Sequence, residues 1–406
     1  MKYIEGGICA PKGFQAAGVH CGIRPNKNKN DLALIVSDVP CAAAGLFTRN
    51  NVKAAPVLLN METIRSGRGR AICVNSGIAN ACAPDDMKNA KLMQEAAAEI
   101  LGISAEEVLV GSTGVIGTPL PIDAVRRGLP ILKENLERSA EASDAAARAI
   151  MTTDTKKKEL AVSFEIRGKR VKLGGISKGS GMIHPNMGTM LCYLTCDIAI
   201  DQPLLYKALK EACNMSFNRI SVDGDTSTND SLIILANGLA GNAMITEENE
   251  AYDTFRTVLK ELCVELARQM AADGEGAKHL ITCEVSGAKS EEEAEVLAKS
   301  VISSSLTKAA VFGGDANWGR VLCALGYSGV TFDTEKTDIW FASEAGEVKV
   351  CENGKGLLFD EALAGRILKE DEVIIRCAMQ EGEGSAVCWG CDLTYDYVKI
   401  NGDYRT

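Results

Sequence analysis

The chain has 406 residues, 46% hydrophobic and 24% charged: the ordinary mix of a globular protein, and more chain than one hydrophobic core usually serves. Its formal charge of −10 speaks against a nucleic-acid partner, which would need a basic face. No apolar run approaches the roughly 18 residues of a membrane span, and the opening Met1-Lys2-Tyr3-Ile4-Glu5-Gly6-Gly7 lacks a signal peptide's apolar core, so a cytoplasmic protein is expected.

Stretches of strand length alternate with helical stretches, the mark of an α/β or α+β protein. Residues 32–39, 71–74 and 108–110 read as short buried strands that end in Gly/Ser/Asn-rich loops. Residues 85–101 read as a helix stopped by Gly102. In 161–173, Val162, Phe164 and Ile166 alternate before a Gly168-Lys169 turn, and Val171 and Leu173 after it, which predicts a hairpin. Residues 190–200 read as a long buried strand. Tyr252, Phe255, Val258, Leu259, Leu262 and Leu266 recur at helical spacing, so 251–272 should be a helix buried along one face. It runs into the tight turn Asp273-Gly274-Glu275-Gly276.

After about residue 285 the texture changes. Residues 290–305 read as a helix with Ser290 as N-cap and an acidic first turn. Short strands follow at 339–341, 348–350, 373–377 and 386–389. This divides the chain into a larger unit, 1–285, and a smaller α+β unit, 286–406. The 15 cysteines are an odd, scattered set, which fits a reducing compartment. Cys388-Trp389-Gly390-Cys391 has redox or metal spacing, but no second ligand pair accompanies it, and His20, His184 and His279 are far apart. The pair is read as structural, and no metal is expected.

The segment densest in chemistry is 177–191, a glycine-rich loop carrying Lys178 that leads to Gly188-Thr189 at the mouth of a strand. A hydroxyl residue after Gly in that position suits self-cleavage. The Thr189 hydroxyl attacks the Gly188 carbonyl, and hydrolysis of the resulting ester frees the Thr189 α-amine. An α-amine has an unperturbed pKa near about 7.7–8.0, so it can serve as general base for its own hydroxyl. A second loop, 109–117, carries a hydroxyl and backbone N–H groups of the kind that face a developing oxyanion, although by itself it reads as a plain glycine-rich turn. It lacks the Lys-Ser/Thr of a phosphate-binding P-loop. A third, 221–230, carries Asp223, Asp225 and Asp230. Ile233 stands where an EF-hand would need Glu, so a structural or site-shaping role is expected.

Taken in order, these segments resemble the ornithine acetyltransferase family of arginine biosynthesis, also called glutamate N-acetyltransferase. The resemblance runs end to end. It includes Phe47-Thr48-Arg49-Asn50, Val74-Asn75-Ser76-Gly77, Gly111-Ser112-Thr113-Gly114, Met151-Thr152-Thr153-Asp154-Thr155, the 178–191 segment, Asp223-Gly224-Asp225-Thr226-Ser227-Thr228-Asn229-Asp230, Asp273-Gly274-Glu275-Gly276, Asn317-Trp318-Gly319-Arg320 and the closing 391–401. It implies an αββα-type sandwich with a smaller C-terminal α+β domain, whose last residues return to the active site. It implies Thr189 as the exposed nucleophile and Thr113 with Gly114 as the oxyanion hole. Thr152, Lys178, Thr189, Glu275, Asn401 and Thr406 would contact substrate, with Thr153 the neighbouring alternative to Thr152. The reaction implied is ping-pong transfer of acetyl from N-acetylornithine to glutamate. No cofactor is implied, and acetyl-CoA stays open as a second donor. The α piece (1–188) and β piece (189–406) would assemble as an α2β2 heterotetramer.

Three positions depart from the family's usual pattern: Gly188 for Ala, Ile78 for Asn and Ala316 for Pro. None removes a catalytic group. Two other readings stay open on the sequence: a self-cleaving aminopeptidase or amidase of the same architecture, and a non-catalytic amino-acid-binding relic.

Overall fold

The structure is a computed structural model and describes residues 1–184 and 190–403. Its larger sheet contains β1 (Lys2–Tyr3), β2 (Phe14–Val19), β3 (Leu32–Phe47), β4 (Arg68–Ile78), β5 (Val108–Val115), β6 (Lys158–Ile166), β7 (Lys169–Lys178), β8 (Leu191–Cys196) and β10 (Ser231–Ala236). The two-residue β9 (Ile220–Ser221) joins the other sheet. The order is β1-β6-β7-β8-β10-β3-β4-β5, with β2 also paired to β3.

The long strand β3 organises this sheet. Its first half pairs with β2 and β4 and its last residues pair with β10, with a register shift in the β3/β4 ladder between Val36 and Cys41. Pro40, which has no N–H to give a ladder, lies inside that irregularity. The two halves of the sheet therefore face each other across a shared apolar layer. Ile35, Ile72 and Leu109 from one half pack there with Ile176, Tyr193 and Ile233 from the other. At Gly111 a Cβ would lie 2.1 Å from the Tyr193 hydroxyl, so a larger residue in β5 would push the halves apart.

Helices cover both outer faces. On one side Leu34, Cys73 and Val110 meet α1 (Ala55–Thr63), α2 (Asp86–Leu101) and α3 (Ile122–Glu134). On the other, Val162, Leu173 and Leu194 meet α5 (Gln202–Asn214) and α6 (Glu250–Ala272). α4 (Ala140–Ala149) closes the end of the inner layer. This is the αββα sandwich that the resemblance implies.

The second sheet runs β14 (Lys355–Gly356), β13 (Gly346–Glu352), β12 (Asp338–Ser343), β15 (Glu372–Ala378), β11 (Leu280–Ala288), β16 (Gly384–Cys391) and β9. β11 spans the 285/286 position where the sequence texture changes. One face of this sheet packs on α7 (Glu291–Ser303), α8 (Ser305–Phe312), α9 (Trp318–Gly326) and α10 (Glu361–Ile367). The other presents Trp389 and Cys391 to α6, so α6 lies between the two sheets. Cys388 and Cys391 therefore belong to opposite faces of β16, too far apart in orientation to act as a redox pair. α11 (Tyr395–Asp403) ends the described chain. Among the described residues, no helix is long and apolar enough to cross a membrane.

Where boundaries differ from expectation, local chemistry explains them. The hairpin turns at Arg167-Gly168, both with positive φ, and pairs Ile166 with Lys169. β8 stops at Cys196 because the next residue, Asp197, takes the backbone N–H groups of Lys172 and Lys12 at 2.8 and 3.0 Å. The helix expected over 290–305 breaks at Ser304, whose side chain caps α8 through the Thr307 N–H.

Because α6 is packed from two sides, truncating its buried face is costly. Leu262→Ala is expected to lower unfolding free energy by about 2–5 kcal/mol in urea titration. A change below about 0.5 kcal/mol would mean the site collapses around the loss.

Candidate active site

The site begins where β4 and β5 end. Their parallel ladder is irregular at Gly77 and Ile78. Gly114 has φ 131°, and a Cβ there would lie 2.2 Å from the Gly77 carbonyl carbon, so only glycine fits. This holds the Thr113 side chain and the Gly114 backbone at the edge of a cavity. Asn229 locks the wall beside them, donating to the carbonyls of Ala79 (2.7 Å) and Ser112 (2.8 Å).

Lys178 is the last residue of β7 and pairs with Leu191 at the start of β8. It is 5% exposed, and its Nζ donates to Thr113 Oγ1 at 3.3 Å. Burial lowers its pKa, Asp154 and Glu275 oppose that shift, and the like charges of Lys158 and Arg24 add to it. Asp154 is fully buried. Burial alone would raise its pKa, but Lys178 and Lys158 hold the carboxyl below the usual carboxylate range.

Behind the cavity lies a closed ion network. Lys158 Nζ is 2.6 Å from Asp154 Oδ1 and 2.5 Å from Asp273 Oδ2, and donates to the Gly179 carbonyl at 3.2 Å. Asp154 also accepts the N–H groups of Gly179 (2.8 Å) and Thr152 (3.0 Å). Asp273 accepts from the Thr155 N–H and hydroxyl and from the Lys156 N–H. Thr152, the end of β7 and the turn after α6 are thus fixed to one another.

Glu275 follows in that turn, 8% exposed, its N–H donating to the Ser180 carbonyl at 3.0 Å. Its carboxylate accepts from Asn401 Nδ2 at 2.7 Å. Asn401 reaches it because α11 packs against Gly276, where a Cβ would lie 2.6 Å from the Tyr397 nitrogen. Asp392 anchors the approach to α11 by accepting from Nδ1 of His279 at 2.8 Å and from two backbone N–H groups. In the third loop, Asp223 accepts from the Ile183 N–H at 2.8 Å, and burial pushes its pKa up to about 6.

The cavity encloses about 760 Å³, its open mouth included. Thr113, Gly114, Thr152, Thr153, Lys178, Glu275 and Asn401 all line it, together with Met190, Leu191 and Asp230. Gly188, Thr189 and Thr406 lie outside the described residues. The sequence reading assigned no role to Lys158, Asp154, Asp273 or Asn229. Lys158 ends a Lys156-Lys157-Lys158 run that reads as a solvated face, and only its i,i+4 spacing from Asp154 hinted at a pair.

The ArgJ family profile matches residues 15–406. The chain belongs to the ArgJ family. It is 53% identical over 394 residues to the arginine biosynthesis bifunctional protein ArgJ 1 of Clostridium acetobutylicum, covering 97% of this chain and 96% of that protein. It is 50% identical over 407 residues to the arginine biosynthesis bifunctional protein ArgJ of Caldanaerobacter subterraneus subsp. tengcongensis, covering 100% of both. A crystal structure of the arginine biosynthesis bifunctional protein ArgJ of Bacillus halodurans aligns with 44% identity and a TM-score of 0.48, over 52% of this chain and 97% of that one. This ArgJ chain is therefore an enzyme of arginine biosynthesis, an acetyltransferase of the ornithine acetyltransferase kind.

Removing the ammonium from the ion network leaves two buried carboxylates without their shared partner. Lys158→Met is expected to cost about 3–5 kcal/mol of stability in denaturant unfolding. An unfolding free energy within about 0.5 kcal/mol of wild type would show that the network carries no such load.

Proposed function

We propose that this chain cuts itself between Gly188 and Thr189 and then carries an acetyl group on the Thr189 hydroxyl, taking it from N-acetylornithine and giving it to glutamate. The observation that supports this most is the gathering of Thr113, Gly114, Lys178 and Glu275 around one cavity that Met190 and Leu191, directly after Thr189, also line.

The chemistry follows from those groups. The Thr189 α-amine takes the proton of its own hydroxyl as the oxygen attacks the acetyl carbonyl. Charge then develops on that carbonyl oxygen, where the Thr113 hydroxyl and the Gly114 N–H are to receive it. Lys178 already donates to the Thr113 oxygen, which leaves the hydroxyl proton free to point at the oxyanion. The intermediate collapses, the α-ammonium returns its proton to the departing amine, and ornithine leaves. Glutamate repeats the steps in reverse and leaves as N-acetylglutamate.

Both substrates share an α-amino-acid core. Lys178 offers a cation to a carboxylate and Glu275, held by Asn401, an anion to an amine. Thr152 or Thr153 and the C-terminal Thr406 complete the proposed contacts. The relatives are named bifunctional, and we extend the proposal to acetyl-CoA as a second acetyl donor to the same threonine. The pieces 1–188 and 189–406 stay together after the cut because β7 of the first pairs with β8 of the second from Leu173↔Cys196 to Lys178↔Leu191.

Intact-mass analysis of purified protein should give two pieces, residues 1–188 and 189–406, while Thr189→Ala stays one inactive chain. An active enzyme of one uncut chain would sink the reading.

Kinetics should separate the two kinds of site residue. Thr113→Ala is expected to lower kcat roughly 100-fold with little change in KM, because its contact forms in the transition state. Glu275→Gln should weaken both half-reactions, costing roughly 2–5 kcal/mol in kcat/KM. Steady release of ornithine and acetate from N-acetylornithine at the same rate without glutamate, with water as acceptor, would instead indicate an amidase.

A further inference from the structure

The connection between β2 and β3 carries charge that the scheme above does not use. It reads Arg24-Pro25-Asn26-Lys27-Asn28-Lys29-Asn30, three cations and no acid, in a chain whose formal charge is −10. Its shape is fixed from inside. The next residue, Asp31, is fully buried and accepts the N–H groups of Cys21 and Arg24 at 2.7 and 2.9 Å, with His20 Nδ1 3.2 Å from the same carboxylate. Asn30 Nδ2 donates to the Gly18 carbonyl at 3.0 Å, and the Lys29 N–H to the Asn26 carbonyl at 3.2 Å. Asp31 is thus turned inward, while Lys27 and Lys29 stay exposed.

This loop forms one wall of another cavity, about 670 Å³ with its open mouth included. Arg24, Asn28, Lys29, Asn30, Arg148 and Met151 line it: three cations, two amides and no carboxylate. Arg148, on α4, is held by Asp144 through its Nε at 2.7 Å. Asp144 is shared with Lys157, so that carboxylate does not cancel the cations around it. The cavity adjoins the candidate active site. Arg24 donates to the Met151 carbonyl, and Thr152, the next residue, lines the site. The Arg24 stem lies against Gly77, where a Cβ would come within 2.7 Å of its Cγ, and Gly77 pairs with Gly114. The charge of Arg24 also reaches Lys178.

We propose that this basic cavity holds the phosphate groups of acetyl-CoA, with the acyl end of the donor reaching past Met151 and Thr152 into the site. This deepens the reading above and rests on acetyl-CoA being a second donor. Coenzyme A carries its negative charge on a pyrophosphate and a 3′-phosphate at one end and its thioester at the other, joined by a flexible pantetheine arm. Such a donor needs an anchor that is cationic and set apart from the reacting carbonyl. N-acetylornithine and glutamate carry no phosphate, and Lys178 and Glu275 already serve them. The guanidinium groups of Arg24 and Arg148 present forked donors to phosphate oxygens, the Lys29 ammonium adds a point charge, and the Asn28 amide a further N–H donor. Lys27 on the same loop strengthens the local field in an otherwise acidic molecule.

The test uses the full-length enzyme and follows N-acetylglutamate formation from each donor. Lys29→Gln combined with Arg148→Gln removes two charges without touching a residue of the first cavity. It is expected to raise KM for acetyl-CoA about 10-fold, the worth of one charge-assisted contact, and to leave kcat and the KM for N-acetylornithine nearly unchanged. S-acetylpantetheine, which keeps the thioester and lacks the nucleotide, should be used equally well by wild type and variant. Adenosine 3′,5′-bisphosphate should compete with acetyl-CoA in wild type and far less in the variant. Because Arg148 also pairs with Asp144, Lys29→Glu alone repeats the comparison on the exposed loop and should shift the same KM in the same direction. An unchanged KM for acetyl-CoA, or an equal rise for both donors, overturns the proposal. Inhibition by inorganic phosphate as strong as by the bisphosphate would mark a site for free phosphate and overturn the assignment to the donor. A wild type that transfers from N-acetylornithine but makes no N-acetylglutamate from acetyl-CoA overturns the second-donor reading itself, a different outcome from a wild type and a variant that use acetyl-CoA alike.

Discussion

A lysine ammonium sealed between two carboxylates is the constraint on which the site is built. Lys158, Asp154 and Asp273 are each nearly closed to water, and none could be buried charged without the others. Asp154 belongs to the loop before β6, Lys158 to the first residue of β6, and Asp273 to the turn that ends α6. The Gly179 backbone, just past β7, gives its N–H to Asp154 and its carbonyl to Lys158. Three stretches distant in sequence, around residues 154–158, 179 and 273, thus share one charge arrangement, which is satisfied only when all three are in place. The residues that face the cavity, Thr152, Lys178 and Glu275, are within two positions of these anchors, so the network fixes their geometry without touching substrate.

The same charges set the electrostatics in front. Lys178 is buried, and desolvation weakens its hold on its proton. Asp154 and Glu275 counter that, while Lys158 and Arg24 oppose them. The amine is poorly hydrated and close to the Thr113 hydroxyl at the cavity wall. Glu275 is anchored differently, by a backbone hydrogen bond to Ser180 and a side-chain bond from Asn401 near the far end of the chain. The seven-stranded sheet matters to the site for this reason. It carries the chain through β16 and Asp392 to α11, and so delivers Asn401 to a cavity built mainly by the other sheet.

Much of this was legible in the sequence where periodicity speaks directly. α2 and α6 follow their apolar spacing, and the caps Gly102 and Ser290 do what their residue types suggest. Strands were read too short where small residues or proline interrupt them. β3 continues through Pro40 because the interruption coincides with the bend between the two sheet halves. The cavity-lining residues were legible through resemblance, since each sits in a loop whose sequence is unusual in itself. The supporting residues were not. Lys158 in a lysine run and Asp230 in an acidic loop look like solvent-facing charge, and only the tertiary packing of β6 and β10 makes them buried.

The location of the proposed cut also follows from strand chemistry. A chain end inside a protein normally costs order, because the freed residues fray. Here the strands on either side remain in one ladder: β7 pairs with β8 up to Lys178↔Leu191, and β8 pairs in parallel with β10 from Leu191↔Ser231 onward. A cut just before β8 would therefore sever a connection and leave the hydrogen bonds that hold both sides intact. β8 is itself buried along its whole length between α6 on one face and the inner layer of the sandwich on the other. A nucleophile at its entry would be positioned by a strand buried along its whole length, where a loop residue would have to be ordered by substrate.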